Sequence, residues 1–358
     1  MFYRESGQFK ISYGKDQAIF PILQDRLFIA IVLLISFVGV PLVASEYWYQ
    51  AVLIPFMIFS LAAIGLNLLT GYAGQVSLGT GAFMAVGAYA TYKITTAFPE
   101  LNIFIAFIVS GMFAATVGMV FGAPSLRIKG FYLAVATLAA QFFILWLFNK
   151  VGWFFNYSPS GTITAPPRDF FGIIVTGPEA TSMTRYFIVL SFLTAGALIA
   201  KNIVRGRIGR SWMAIRDMDI AAEIIGIDPL KTKLLAFGIS SFYCGVAGAL
   251  MIFIWLGSAD TEAFDITLSF QILFMIIIGG LGSIMGSIMG AAFIILLPIF
   301  LTNVLPLIGI QIPIDISKHV EEIVFGALII FFLIVEPHGL ARLWSIAKEK
   351  LRTWPFPY

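Results

Sequence analysis

About ten long apolar runs divide this chain, each able to cross roughly 30 Å of hydrocarbon, which takes about 20 helical residues at a rise of about 1.5 Å per residue. They fall at 27–45, 51–70, 72–95, 101–123, 130–149, 185–204, 233–257, 268–286, 287–308 and 320–336. Hydrophobic residues make up 59% of the chain and charged residues 11%, too little polar surface to wrap a soluble body of 358 residues. The predicted fold class is all-α, a polytopic integral membrane protein of about ten transmembrane or re-entrant helices.

The charge map orients these runs. The first one follows Arg4, Lys10, Lys15 and Arg26 and is too long for the core of a signal peptide, so it reads as a retained span with its N-terminus inside. Alternation then puts Glu46 and Glu100 outside, Arg127 and Lys129 inside, and the loop from Lys150 to Arg185 outside. Residues 201–233 fall inside with Lys201, Arg205, Arg207, Arg210, Arg216, Lys231 and Lys233. Asp260, Glu262 and Asp265 fall outside, and Arg342, Lys348, Lys350 and Arg352 end inside, as the positive-inside bias requires. The net charge of +3 is thus a membrane signature and no argument for nucleic acid. The chain accordingly divides into a cytoplasmic segment 1–25, a membrane domain 26–340 with a cytoplasmic loop 201–233, and a cytoplasmic tail 341–358.

The middle of the predicted spans carries no Asp, Glu, Lys, Arg or His. A charge there costs roughly 2.5–3.5 kcal/mol on insertion scales and is kept for function, so a proton relay is not expected. Cys244 is the single cysteine, and His319 and His338 sit at segment ends too far apart to pair, so no metal site is expected.

Two glycine-rich passages interrupt the apolar runs. The first contains Asn67, Thr70, Gly71, Gly74, Gln75, Ser77, Gly79, Thr80 and Gly81, and the second Gly279, Gly280, Gly282, Ser283, Gly286 and Gly290. Glycine-rich backbone survives in lipid where helices pack closely or line a cavity. Both readings apply here. In the second passage Gly282, Gly286 and Gly290 recur at fours, the spacing of one close-packed helix face; in the first, the density of neutral hydrogen-bonding groups suits a path for a neutral or zwitterionic solute. The spans around 71–95 and 279–290 either cross plainly or re-enter.

The loop 201–233 holds a short amphipathic helix. At 100° per residue Trp212, Arg216, Asp219 and Glu223 share one sector, opposite Ala214, Ile215, Met218, Ala221, Ala222 and Ile225. Gly226 is placed to end it, and Asp228-Pro229 prevents its continuation. It either lies on the inner leaflet or meets a protein. With Asp217, Asp219 and Glu223 offsetting Arg210 and Arg216, anionic lipid gains little, which favours a protein partner.

The stretch from Gly209 to Ile227, read with 71–83, 126–133, 279–291 and 336–340, resembles the branched-chain amino acid ABC transporter permeases. The resemblance covers about Ile64 to Leu340, and the loop has the Arg-Asp-x-Asp form of one of the two permease subunits. It implies an ABC importer permease fold and a subunit of the prokaryotic cytoplasmic (inner) membrane with both termini cytoplasmic. Its partners would be a second homologous permease, two cytoplasmic ATP-binding subunits, an extracytoplasmic solute-binding protein and membrane lipid. Carried over by position, Arg210, Trp212, Arg216, Asp217, Asp219, Glu223 and Gly226 would dock on the ATPase. No Walker motif occurs, so ATP and Mg would be used by partner subunits and no cofactor would be bound by this chain, which would not itself be an enzyme. The outer loop Asn156 to Pro167 resembles the family only loosely. A permease for urea or short amides, an ATP-independent facilitator and a membrane-embedded enzyme are the competing readings.

Overall fold

The computed structural model describes residues 11–12, 19–20, 23–125, 132–170, 172–304, 314–335 and 338–353. Most of the segment 1–25, residues 126–131 of one family-like motif with Arg127 and Lys129, the His319 side chain, residues 336–337 and residues 354–358 lie outside them. The described chain is an all-α membrane bundle. Its helices are α1 (Asp25–Val43) and α2 (Trp48–Tyr72), α3 (Thr80–Ala97) and α4 (Ile103–Ser125), and α5 (Tyr132–Lys150) and α6 (Ser182–Arg205). Two short helices, α7 (Arg207–Asp217) and α8 (Asp219–Ile224), lead into α9 (Pro229–Leu256). α10 (Ile266–Gly279), α11 (Ile284–Val304), α12 (Ile314–Val335) and α13 (Gly339–Thr353) complete it.

Eight helices among the described residues are long and apolar enough to cross a membrane. Two expectations change. The run 72–95 is helical only from Thr80, because 73–79 is irregular backbone. The run divided as 268–286 and 287–308 breaks instead at 280–283, where Gly280 (φ 116°) and Gly282 (φ 76°) take left-handed conformations that a side chain resists. Gly280 and Gly282 therefore make the turn between α10 and α11 and do not belong to a helix face. Gly279, Gly286 and Gly290 do sit where α10 and α11 touch: a Cβ on Gly290 would strike the Met275 carbonyl, and one on Gly286 would lie 2.6 Å from Gly279 O. Lys93, inside the expected span, lies near the C-terminal end of α3, where its Nζ donates to Trp153 O (2.7 Å) and stands 4.0 Å from the centre of the Trp153 ring.

α2 and α9 form the centre, with α3 and α4 packed on α9 and with α6, α10 and α11 packed on α2. Lipid tails are as apolar as leucine, so close van der Waals fit rather than hydrophobicity must hold such helices together. Small residues supply it. A Cβ on Gly87 would collide with the Gly245 backbone, and one on Gly248 with the Met84 backbone, so α3 and α9 touch backbone to backbone. Gly87→Val should thus wedge them apart and cost at least about 3 kcal/mol of stability, the upper end of overpacking penalties. Thermal unfolding in detergent checks this, and a variant as stable as the native chain would rule out the contact.

Among the described residues four segments adopt a wider, π-type turn, including Trp48–Leu53 and Leu68–Tyr72 at the two ends of α2 and Met251–Leu256 at the end of α9. α1 lies outermost, with its apolar surface largely exposed, and is tied on by Tyr186 Oη donating to Ser36 O (2.8 Å) and by the stacked Phe37 and Phe187. Among the described residues the loops 151–181 and 257–265 carry two small antiparallel pairs, β1 (Ile163–Thr164) with β4 (Ser258–Ala259) and β2 (Arg168–Phe170) with β3 (Ile173–Thr176). The segment expected as a tail is largely α13, which packs on α10 and α11 and ion-pairs to the start of α1 through Lys348 and Asp25 (3.0 Å).

Candidate functional site

The loop between α6 and α9 folds as a platform. Gly206 ends α6 in extended backbone, and Gly209 allows α7 to turn back against it, since a Cβ there would strike the Val204 backbone. Trp212 is fully buried and donates its indole N–H to Thr232 O (3.1 Å), fastening α7 to the first turn of α9. At Met218 the backbone is extended (φ −159°, ψ 93°), so the helix breaks before α8. Gly226 (φ 89°) ends α8, and Asp228 caps α9 by accepting from the N–H groups of Leu230 and Lys231. The Lys231 N–H, with its ammonium, holds the Asp228 carboxyl below the usual carboxylate range. The cap is therefore intact at neutral pH and is lost only as pH falls through that lowered value.

The break corrects the wheel. One continuous helix would place Trp212 with Arg216, Asp219 and Glu223 on a polar face, and Met218 and Ile225 on the apolar one. On α7, Trp212 and Ile215 point inward; extended backbone at Met218 then rephases α8, where Ala222 is buried while Met218, Ile220, Ile224 and Ile225 are each more than 60% exposed. Trp212 thus supports the platform from beneath and presents no surface to a partner. Arg210, Asp217, Glu223 and Gly226 are also exposed, and Asp219 is half-buried.

Arg216 turns toward the bundle. Its Nη1 donates to Gly71 O (2.9 Å) and its Nε pairs with Asp217 Oδ1 (2.9 Å). Gly71 closes the last turn of α2, where carbonyls lack helical partners, so the guanidinium satisfies one that the bundle interior would otherwise leave unpaired. Beside it, Asn67 clamps the α10–α11 turn. Its Nδ2 reaches Ser283 O (2.9 Å), Ser287 Oγ (2.7 Å) and Gly280 O (3.3 Å), and its Oδ1 accepts from Gly282 N (2.9 Å). With both amide atoms used and 1% exposure, Asn67 is a clamp and offers nothing to a passing solute.

The remaining members of the first passage divide in the same way. Thr70 Oγ1 donates to Gln75 O, Gly79 N to Ser77 Oγ, and Gly81 N to Ser269 Oγ. Glycines 71, 79 and 81 stand where a Cβ would press on Gly282, Thr137 O and Phe264 O, respectively. Gln75 and Thr80 differ: both are buried, and neither Gln75 amide atom nor Thr80 Oγ1 has a hydrogen-bond partner. Sequence reasoning missed the groups that hold the start of α3. Thr137 Oγ1 accepts from Leu78 N, and Gln141 accepts from Ala82 N and donates to Phe264 O (both 2.7 Å). An isolated glutamine in the middle of an apolar run was the available signal. Among the described residues no cluster of His, Cys, Asp or Glu could hold a metal ion.

A family model described as the permease component of branched-chain amino acid transport systems matches residues 49–333. The chain belongs to this permease family. The match takes in both glycine-rich passages, α7 and α8. Within the family, the chain is 26% identical over 304 residues to the high-affinity branched-chain amino acid transport system permease protein LivM of Escherichia coli, covering 79% of this chain and 68% of that one. The LivM of Salmonella typhimurium aligns to the same extent. A probable branched-chain amino acid transport permease LivM of Methanocaldococcus jannaschii is 22% identical over 330 residues, covering 81% of this chain and 92% of its own length. No solved structure matches this permease-family chain.

Proposed function

We propose that this chain is the membrane-spanning permease subunit of an ATP-driven, binding-protein-dependent importer of branched-chain or other apolar amino acids. It resides in the cytoplasmic membrane with both termini inside, beside a second homologous permease, with a solute-binding protein outside. ATP-binding subunits, which hold the ATP and Mg, dock on α7 and α8. One observation carries this reading: Met218, Ile220, Ile224 and Ile225 are exposed apolar side chains on the loop that bears the strongest inside charge bias, which also exposes Arg210, Asp217 and Glu223. Exposed apolar side chains together with charges of both signs suit a protein interface and are a poor match to anionic lipid. The solute passes the irregular segment 73–79 and the start of α3, where Gln75 and Thr80 carry unpartnered polar atoms that suit a zwitterion. Irregular backbone at membrane depth is characteristic of transporter pathways.

The test is co-purification. The tagged chain should bring down two ATP-binding subunits and a sister permease, and Ile224→Asp with Glu223→Lys should lose the ATPase while retaining the sister permease. Placing a charge in the centre of an interface costs about 2–5 kcal/mol, enough to lower recovery by at least about ten-fold. Uptake into vesicles should then require nucleotide. Solute equilibration by the purified chain without nucleotide would establish a facilitator instead.

A further inference from the structure

Arg216 was expected to face the ATPase; its side chain is 38% exposed, yet one guanidinium nitrogen reaches into the bundle. It donates to the last turn of α2 at Gly71 O, and its stem lies across Gly74 so closely that a Cβ there would sit 2.8 Å from Arg216 Cγ. Gly74 also has φ 69°, so glycine is required on two counts. On its far side Nη1 stands 3.7 Å from where a Cβ of Gly282 would be, at the turn that Asn67 clamps. Three stretches far apart in sequence thus meet at one side chain: the platform, the exit of α2 and the α10–α11 turn. Beyond Gly74 the chain runs through buried, unpartnered Gln75 to the start of α3.

We propose that Arg216 is a positioning residue, a strut that carries displacement of α7 into the 71–75 segment and so moves Gln75 within the solute path. This role rests on the importer reading. A single guanidinium serves because it grips a carbonyl by a charge-assisted hydrogen bond while its stem fills the space over Gly74. Movement of the platform therefore cannot leave the loop behind. An alkylammonium has one point of contact and no planar fork, so lysine is not equivalent at this position.

The experiment uses the assembled importer in proteoliposomes with its binding protein, measuring ATP hydrolysis and uptake in parallel. The variants are Arg216→Gln, which removes the grip; Gly74→Ala, which presses on the Arg216 stem from the loop side at a position where φ is 69°; and Lys231→Gln, which removes only an exposed ion pair to Asp228. Arg216→Gln and Gly74→Ala should retain the ATPase subunits and hydrolysis while uptake per ATP falls about ten-fold, the scale of a lost coupling element. Lys231→Gln should stay near the native ratio. A native ratio in both Arg216→Gln and Gly74→Ala would overturn the strut, as would loss of the ATPase from Arg216→Gln with Gly74→Ala unaffected, which would make Arg216 a docking residue. Failure of the native chain to recruit any ATPase would instead remove the importer reading, and the strut with it.

Discussion

Asn67→Leu should be the most damaging single change in this chain. Leucine is close in shape to asparagine and suits a bundle interior, so propensity and hydrophobicity both favour it. The loss lies in what Asn67 satisfies: three acceptors, Gly280 O, Ser283 O and Ser287 Oγ, and one donor, Gly282 N, all around a site 1% exposed. Ser287 Oγ also donates to Ser283 O, so it keeps one bond, while the Gly282 N–H loses its partner in the clamp. A buried group left unpaired costs about 1–3 kcal/mol, and two or three such groups put the expected loss at about 3–5 kcal/mol. Asn67→Asp should be no milder, because a carboxylate would face the carbonyls of Gly280 and Ser283. Thermal unfolding in a lipid nanodisc reads the loss directly. If Asn67→Leu unfolds within a degree of the native chain, water or a rearranged turn satisfies these groups and the clamp is not structural.

The second large effect belongs to Trp212. It has no exposed surface and is among the largest fully buried side chains, so Trp212→Ala removes a wide apolar contact and leaves Thr232 O without the indole donor. Truncating a buried tryptophan costs about 3–5 kcal/mol. That loss should be local, because α7 meets the bundle at few other points: the Gly209 corner, Ile215 and the Arg216 grip. Hydrogen exchange across 207–217 should therefore accelerate strongly while the core of α9 stays protected. Trp212→Phe keeps most of the bulk and loses the hydrogen bond, so its effect should be nearer 1 kcal/mol. Unchanged exchange in Trp212→Ala would mean that the platform is held by something other than its buried indole.

Both predictions turn on side chains whose type was conspicuous in the sequence and whose role was not. Asn67 stood out as a polar residue in an apolar run, which is equally what a solute path or a structural clamp would show. Trp212 and Arg216 stood on one face of an ideal helical wheel, and the wheel presumed a continuous helix. The break at Met218 has no strong local signal, neither glycine nor proline, so the rephasing that leaves Ile224 and Ile225 exposed was not available to a periodicity argument. By contrast Asp228-Pro229 and Gly226 carry their backbone geometry in their own covalent structure, and they end up where that chemistry places them.

The sequence by itself determined that this is a polytopic helical membrane protein, approximately where its spans lie, and which loop gathers charge. Those properties follow from the transfer free energy of each residue between water and hydrocarbon, a local quantity that adds along the chain. Only the tertiary structure decided that Asn67, Gly71, Arg216 and Gly282 meet at one end of the bundle and that Gln75 and Thr80 are left with unpartnered polar atoms. It also decided that the second glycine passage is half turn and half helix contact. In a bilayer the lipid-facing and the protein-facing sides of a helix are equally apolar, so composition cannot distinguish them. Which backbone approaches which is settled by close packing and by the pairing of every buried polar group, and these exist only once the helices are assembled.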